Sequence, residues 1–239
     1  MDFNEFFIKI KKELLKIDIT INKNQAEKFY KYMNLLIEWN SKINLTAITK
    51  PNEIIIKHFV DSLTVLKYIK KGYKIIDIGT GAGFPGIPIK ILMPETTMLL
   101  VDSLNKRINF LERVIEELEL KKIEAKHYRA EELGKKDLYR EKFDICVSRA
   151  VADTIILSEY TLPFVKIMGK VIFMKGSNVK EEIKNSEKIL EILGGKISNI
   201  DKLELPNNYG QRNLIVITKE RHTPDKYPRN SGIIKKKLI

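Results

Sequence analysis

The block Lys74-Ile75-Ile76-Asp77-Ile78-Gly79-Thr80-Gly81-Ala82-Gly83-Phe84-Pro85-Gly86 constrains the fold more than any other stretch of this chain. Lys74–Ile78 reads as a short β-strand and the apolar run 86–92 as a helix, so the glycines between them form a strand-to-helix turn. Glycine permits such a turn and lets a ligand come close to the backbone. In doubly wound α/β folds the turn lies at the carboxyl edge of a parallel sheet, where ligands bind. A dinucleotide fingerprint would need glycine at 84, but Phe84 stands there. The pattern is instead Asp-x-Gly-x-Gly-x-Gly, with Asp77 two residues ahead of Gly79.

The rest of the chain agrees with an α/β reading. Further strands are expected at 97–102, 123–128, 143–148, 170–174, 195–205 and 213–219, with helices at 103–120, 151–165 and 180–193. Strand–helix alternation implies a parallel sheet covered on both faces. The last two strands have no helix between them and should pair as an antiparallel hairpin at one edge. Ahead of the sheet, Phe3, Phe6, Phe7, Ile10, Leu14 and Ile17 recur at helical spacing, as do Phe29, Tyr32, Met33, Leu36, Ile37 and Trp39. Asn24, with Glu27 three residues on, is the expected cap of the second helix. Pro51 opens a third, expected over 52–70. The spacing thus predicts an N-terminal helical extension over 1–72, an α/β domain over 73–219 and a basic tail over 220–239.

Charge separates the same three regions. The chain of 239 residues carries a formal charge of +12. Residues 1–72 hold 13 basic and 8 acidic side chains, and residues 219–239 hold 7 and 2; each flank is +5, while the middle is +2. Basic flanks around a near-neutral middle suggest contact with a polyanion. One cysteine, Cys146, excludes an internal disulfide framework, and His58, His127 and His222 share no metal-ligand spacing, so no metal is expected. The first 17 residues mix Lys and Glu with apolar residues, unlike a signal peptide or membrane span. A basic cytoplasmic protein with no membrane attachment is the expectation.

Three features at successive strand ends point to a nucleoside site. The glycine turn follows the first strand. Asp102 ends the second, near the ~20-residue offset at which an acid reaches ribose hydroxyls. Arg129-Ala130-Glu131-Glu132 follows the third, where this fold brings backbone and an acid alongside an adenine ring. With the closing hairpin, this is the order of a class I S-adenosylmethionine-dependent methyltransferase, a Rossmann-like, seven-stranded, mostly parallel sheet with an antiparallel last strand. Asp77 would help to organise the cofactor's ammonium group.

The fourth strand ends in Ser148-Arg149-Ala150. It lacks the Asn/Asp-Pro-Pro-aromatic sequence used to hold exocyclic amines, and Cys146 reads as a buried packing residue rather than a nucleophile. Ser148 and Arg149 are the candidates for orienting the substrate. Arg is scarce here, 8 against 35 Lys, and its planar fork suits bidentate or stacking contacts. An ion pair with a nearby carboxylate is the competing role for Arg149. These absences suit a nucleophile needing no deprotonation, such as a purine N7.

Trp39-Asn40 with Asn44-Leu45-Thr46, His58 with Asp61-Ser62, the extended motif Asp77 to Pro88, Asp102-Ser103, Lys106-Arg107, Phe110-Leu111, Ser148-Arg149-Ala150 and Lys175-Gly176 together resemble the bacterial RsmG family, or glucose-inhibited division protein B. The resemblance implies a 16S rRNA (guanine-527-N7) methyltransferase using S-adenosyl-L-methionine, with the small ribosomal subunit or an assembly intermediate as partner and a monomer as the expected state. It carries cofactor roles onto Gly79, Phe84, Ala130, Glu131 and Arg149, beside Asp77, Gly81, Gly83 and Asp102 from the motif itself. Trp39 is expected to anchor the core, and His58 to hydrogen-bond Asp61 or backbone rather than act as a base. Two alternatives remain: a methyltransferase of another RNA or substrate, or a basic RNA-binding assembly protein with a vestigial cofactor site.

Overall fold

In the computed structural model, residues 1–149, 153–177 and 179–236 are described; Ala150 and the start of the helix expected at 151 lie outside them. The chain opens with α1 (Phe3–Leu15), capped by Asp2, and α2 (Lys23–Ile43). The α2 cap is not Asn24 with Glu27. Asn22 takes the extended cap conformation and exchanges hydrogen bonds with Gln25, because one helical turn earlier the same Asn-x-x-polar spacing is available.

The expected helix over 52–70 is broken into pieces. A short α3 (Pro51–Glu53) runs into a π-helical stretch, Ile54–Val60, then α4 (Asp61–Leu63) and a 3₁₀ turn, Leu66–Tyr68. The sheet units follow: β1 (Lys74–Ile78), α5 (Gly86–Leu92), β2 (Thr97–Asp102), α6 (Asn105–Glu117), β3 (Ile123–His127), α7 (Ala130–Leu133), β4 (Phe143–Arg149), α8 (Thr154–Thr161), β5 (Val165–Lys175), α9 (Lys180–Leu193), β6 (Gly195–Glu204) and β7 (Gln211–Lys219). A final α10 (Ser231–Lys236) ends the described chain.

The strand order is β3-β2-β1-β4-β5-β7-β6. β1 to β5 pair in parallel, whereas β7 is antiparallel to both β5 and β6. The hairpin is therefore at the edge as expected, with β7 inserted between its partner and the parallel strands. The order reverses between β1 and β4, so the glycine turn and Arg149 fall on either side of the switch point, where this architecture opens a crevice. No described helix is long and apolar enough to cross a membrane.

One core packs the N-terminal helices onto the sheet: Phe6, Ile10, Phe29, Tyr32 and Phe59 join Ile75, Ile87, Leu100 and Phe110. Trp39, half-buried, rests on Phe110 with ring centroids 5.7 Å apart, the anchoring role expected of it. Cys146 is fully buried in the other cluster, where burial raises its thiol pKa well above the ordinary value.

The basic tail is not a free arm as far as Arg229. Lys219, fully buried, donates to Glu141 Oε1 (3.0 Å), Leu162 O (2.8 Å) and Thr223 Oγ1 (2.6 Å). Arg140 binds the carbonyls of Thr223 and Tyr227. Arg229 Nε straddles the carboxylate of the fully buried Glu159 at 3.0 and 3.1 Å. Removing 221–239 would leave Glu159 buried without its cation, a loss of about 3–5 kcal/mol. The melting temperature should therefore fall by ~10 °C; an unchanged thermal scan would show that the segment is merely draped on the surface.

Candidate functional site

The glycine turn is held from below by Asp77 and from behind by α2. Asp77 Oδ2 accepts from Thr80 Oγ1 (2.7 Å) and from the Gly86 N–H (2.9 Å). Burial raises this carboxyl to about 7, partly opposed by those two hydrogen bonds. Asp77 is wholly inaccessible, so its part is to lock both ends of the turn, and the expected direct role toward the ammonium group gives way to this one. Tyr32 of α2 donates its hydroxyl to Ala82 O. A Cβ on Gly83 would meet that hydroxyl at 2.8 Å and Ile87 Cγ1 at 2.6 Å. Gly83 thus lets the turn pack against α2 and α5, and it does not reach the ligand side.

On the open side lies a cavity of about 370 Å³, lined by Gly79, Thr80, Gly81, Phe84 and Arg149 together with Thr46, His58 and Arg107. Gly81 has φ +61° and nothing within 4 Å of where its Cβ would be. Its N–H donates to Asp102 Oδ2 (2.9 Å), and Arg107 pairs with the same oxygen at 3.1 Å. Asp102 Oδ1 also accepts from the Leu104 N–H (3.0 Å). The carboxylate at the end of β2 therefore fixes the turn's most exposed glycine and the start of the following helix.

Phe84 forms one wall. The His58 ring stacks on it at 4.3 Å and 13°, and the Arg149 guanidinium lies over it at 4.9 Å. Arg149 Nη2 bonds His58 Nδ1 (3.1 Å), which leaves Nε2 to donate to Thr46 Oγ1 (2.9 Å). His58 thus pairs with Thr46 and Arg149 rather than with Asp61. Burial, followed by the Arg149 charge, lowers its pKa to about 3.

The π turns explain why Arg149 can be held so fully. In an α-helix the Asp61 N–H would bond the carbonyl four residues back, Lys57 O. Here it bonds Ile56 O and His58 O instead. Lys57 O then accepts from Arg149 Nη1 at 3.0 Å, and the Asp61 carboxylate lies 3.3 Å from the same nitrogen. Asp61 is 2% exposed and holds a second arginine, Arg212 of β7, whose Nε contacts both carboxylate oxygens at 3.2 Å. The ion pair foreseen for Arg149 is real, and it coexists with a place in the cavity wall.

Of the residues expected from sequence, the cavity gathers Gly79, Gly81, Phe84 and Arg149, with Asp102 behind Gly81. Ala130 and Glu131 open α7 and do not line it; Glu131 is 7% exposed, with Arg129 as its nearest cation at 4.0 Å. Ser148 is a correction. Its hydroxyl is fully buried and donates to Ile78 O (2.8 Å), tying β4 to β1, so it cannot touch a substrate. Tyr32, Thr46, Asp61, Arg107 and Arg212 complete the site. The blocks at 44–46, 58–62 and 106–107 had signalled three of these five, but no sequence pattern pointed to Arg212 or to the Tyr32 hydroxyl.

The buried imidazole gives a pH prediction. The folded His58 stays neutral down to about 3, while the unfolded residue takes up a proton below its ordinary 6.5. Its contribution to stability is therefore present above pH ~6.5 and is lost as pH falls toward ~3. Asp77, with its raised pKa, contributes in the opposite sense, being lost as pH rises through about 7. The difference between wild type and His58→Gln isolates the first effect. In denaturant titrations it should shrink steadily from pH 6.5 to 4; a constant difference would mean that the imidazole is solvated.

Residues 25–215 match the family described as GidB, rRNA small subunit methyltransferase G. The chain is 50% identical to ribosomal RNA small subunit methyltransferase G of Desulforamulus reducens, over 99% of both chains. It is 53% identical to the protein of the same name from Acetivibrio thermocellus, over 94% of this chain and 95% of that one. Among solved structures, a SAM dependent methyltransferase from Aquifex aeolicus superposes with a TM-score of 0.51 at 17% identity, covering 71% of this chain and 94% of the other, which shows a shared fold. With the glycine turn, the switch-point cavity and near full-length identity of this order, the chain belongs to the GidB family of rRNA small subunit methyltransferases.

Proposed function

We propose that this chain transfers the methyl group of S-adenosyl-L-methionine to N7 of a guanine in 16S rRNA. The residues present fit that cofactor. The cavity lies in the ~300–1,000 Å³ range of small-molecule sites, and Gly81 leaves open the space that any side chain would fill. Gly79, Gly81 and Phe84 would hold the cofactor, Asp102 would fix the turn and meet the ribose, and Ala130 with Glu131 would border the adenine side. Bound there, the cofactor supplies an electrophilic methyl: the N7 lone pair forms the new bond as the carbon–sulfur bond breaks, leaving a thioether.

The observation that carries this reading is the absence of a base among the described residues lining the cavity. His58 is the one imidazole there, and both its nitrogens are engaged. No carboxylate lines the space, and Cys146 is sealed in the core. Such a site suits a nucleophile whose lone pair is already free. The protein's contribution is then orientation, for which ideal alignment is worth ~7–11 kcal/mol. Arg149 and Phe84 form a rigid wall for that purpose, with the guanidinium pinned by Lys57 O, His58 and Asp61. The same reading places the protein in the cytoplasm, acting as a monomer on the small subunit or its assembly intermediate.

The test is incubation with labelled S-adenosylmethionine and small subunits lacking the modification, followed by mass mapping of the labelled nucleotide. Label on guanine N7 is expected. Label on another atom or another RNA would replace the substrate assignment, and no label at all would leave only the binding role.

A further inference from the structure

A second hollow, of about 400 Å³, opens at the carboxyl ends of β5 and β6, on the same edge of the sheet as the cavity. Lys180, Lys202 and Arg212 line it against a single acid, Glu204, with Ser177 and Asn213 adding polar groups. Lys180 and Lys202 are exposed and form no ion pair among the described residues. Arg212 turns its Nε to Asp61 and its Nη1 to Gln211 O, leaving Nη2 without a partner among the described residues. A larger hollow, of about 480 Å³, lies at the start of β6, near the opposite edge. It carries Glu187, Glu191 and Glu220 against Lys196 and Arg221, the wrong balance for an anion.

The two arginines on Asp61 join the smaller hollow to the cavity. Arg212 belongs to the hollow, Arg149 to the cavity, and the buried carboxylate between them binds both. We infer that the hollow seats a backbone phosphate of the substrate RNA beside the target nucleotide, and that Arg212 is a positioning residue which transmits this occupancy through Asp61 to Arg149. The inference rests on the methyltransferase reading given above. Two free cations and an arginine around a polar floor are what a phosphate requires. A phosphate at Arg212 would draw on a guanidinium whose other edge is fixed to Asp61, so strand placement and the cavity wall are set together.

The experiment uses the full chain with small subunits lacking the modification. Lys180→Glu with Lys202→Glu should weaken RNA binding at least ~10-fold and lower the salt slope by about 1.5, the value for two lost phosphate contacts. Affinity for S-adenosylmethionine, read by calorimetry, should stay within about twofold, well under one tenfold step. Lys9→Glu with Lys12→Glu, on exposed positions of α1, makes the same change in net charge and is the control. Equal losses in the two pairs would overturn the hollow as a phosphate seat. Arg212→Gln should raise KM for RNA and lower kcat, whereas Arg212→Lys, which keeps the charge and loses the two-oxygen hold on Asp61, should restore KM alone. Recovery of both by Lys, or an unaltered kcat with Gln, would overturn the positioning role. Wild-type protein that binds no RNA would instead overturn the function on which the inference rests.

Discussion

Gly81→Val should abolish S-adenosylmethionine binding while leaving a folded protein. Gly81 stands at φ +61°, where a β-branched residue is a steric outlier, and adopting that conformation costs an L-residue about 1–2 kcal/mol. That strain is small against the stability of a domain. The added side chain meets nothing in the protein, so no clash unfolds the turn. What it does meet is the space of the cavity, into which backbone alone was exposed. The Gly81 N–H bond to Asp102 Oδ2 also depends on this backbone conformation, so the acid expected at the ribose is disturbed in the same step. Calorimetric affinity should fall at least ~100-fold, or about 2.7 kcal/mol, with Gly81→Ala intermediate. Unchanged affinity in a folded valine variant would remove the cofactor from this cavity. Gly83→Val is the contrasting case. Its Cβ would strike Tyr32, Ile87 and Leu111, so it should fail in stability first.

Arg149→Ala should lower methyl transfer by ~100-fold or more, at the scale of one lost transition-state contact of about 2.7 kcal/mol. The guanidinium contacts Lys57 O, Asp61, His58 and the face of Phe84 at once. Its loss strips the cavity wall, leaves His58 Nδ1 without its donor and leaves Asp61 to Arg212 alone. Arg149→Lys should not rescue it, because an ammonium has no planar face to stack and no fork to bridge these acceptors. Single-turnover transfer, measured beside cofactor affinity, separates the chemical from the binding effect. Near wild-type turnover in the alanine variant would reduce Arg149 to an ion pair that holds β4 to the N-terminal helices.

These two residues were visible in the sequence for different reasons than their neighbours. A strand followed by glycines announces its own ligand edge, and the alternation of β runs with helices fixes a parallel sheet; both signals are local. Ser148 and Arg149 sit side by side at the end of β4, yet successive strand residues face opposite sides, and a list of residues does not say which of the two sees solvent. The structure turns Ser148 inward to Ile78 O and Arg149 toward the cavity. Gly83 and Asp77 belong to the motif by spacing but face packing partners brought in from α2, α5 and α6. Arg212 lies 151 positions from Asp61, and only the insertion of β7 beside β5 brings them together. Ala130 and Glu131 occupy the expected strand end without lining the central cavity, so their part waits on the nucleoside itself.

The wide turns over Ile54–Val60 bear on how this chain tolerates change in length. A π stretch amounts to one residue more than an α-helix needs over the same rise. Deleting a single residue there would let the helix close into ordinary register, and by local criteria the backbone would be improved. The same deletion would rotate everything beyond it by ~100° about the axis, carrying Asp61 away from both arginines and returning Lys57 O to the backbone ladder. Side chains in this stretch can be exchanged one by one, but its residue count cannot be shortened without disconnecting β4 and β7 from each other.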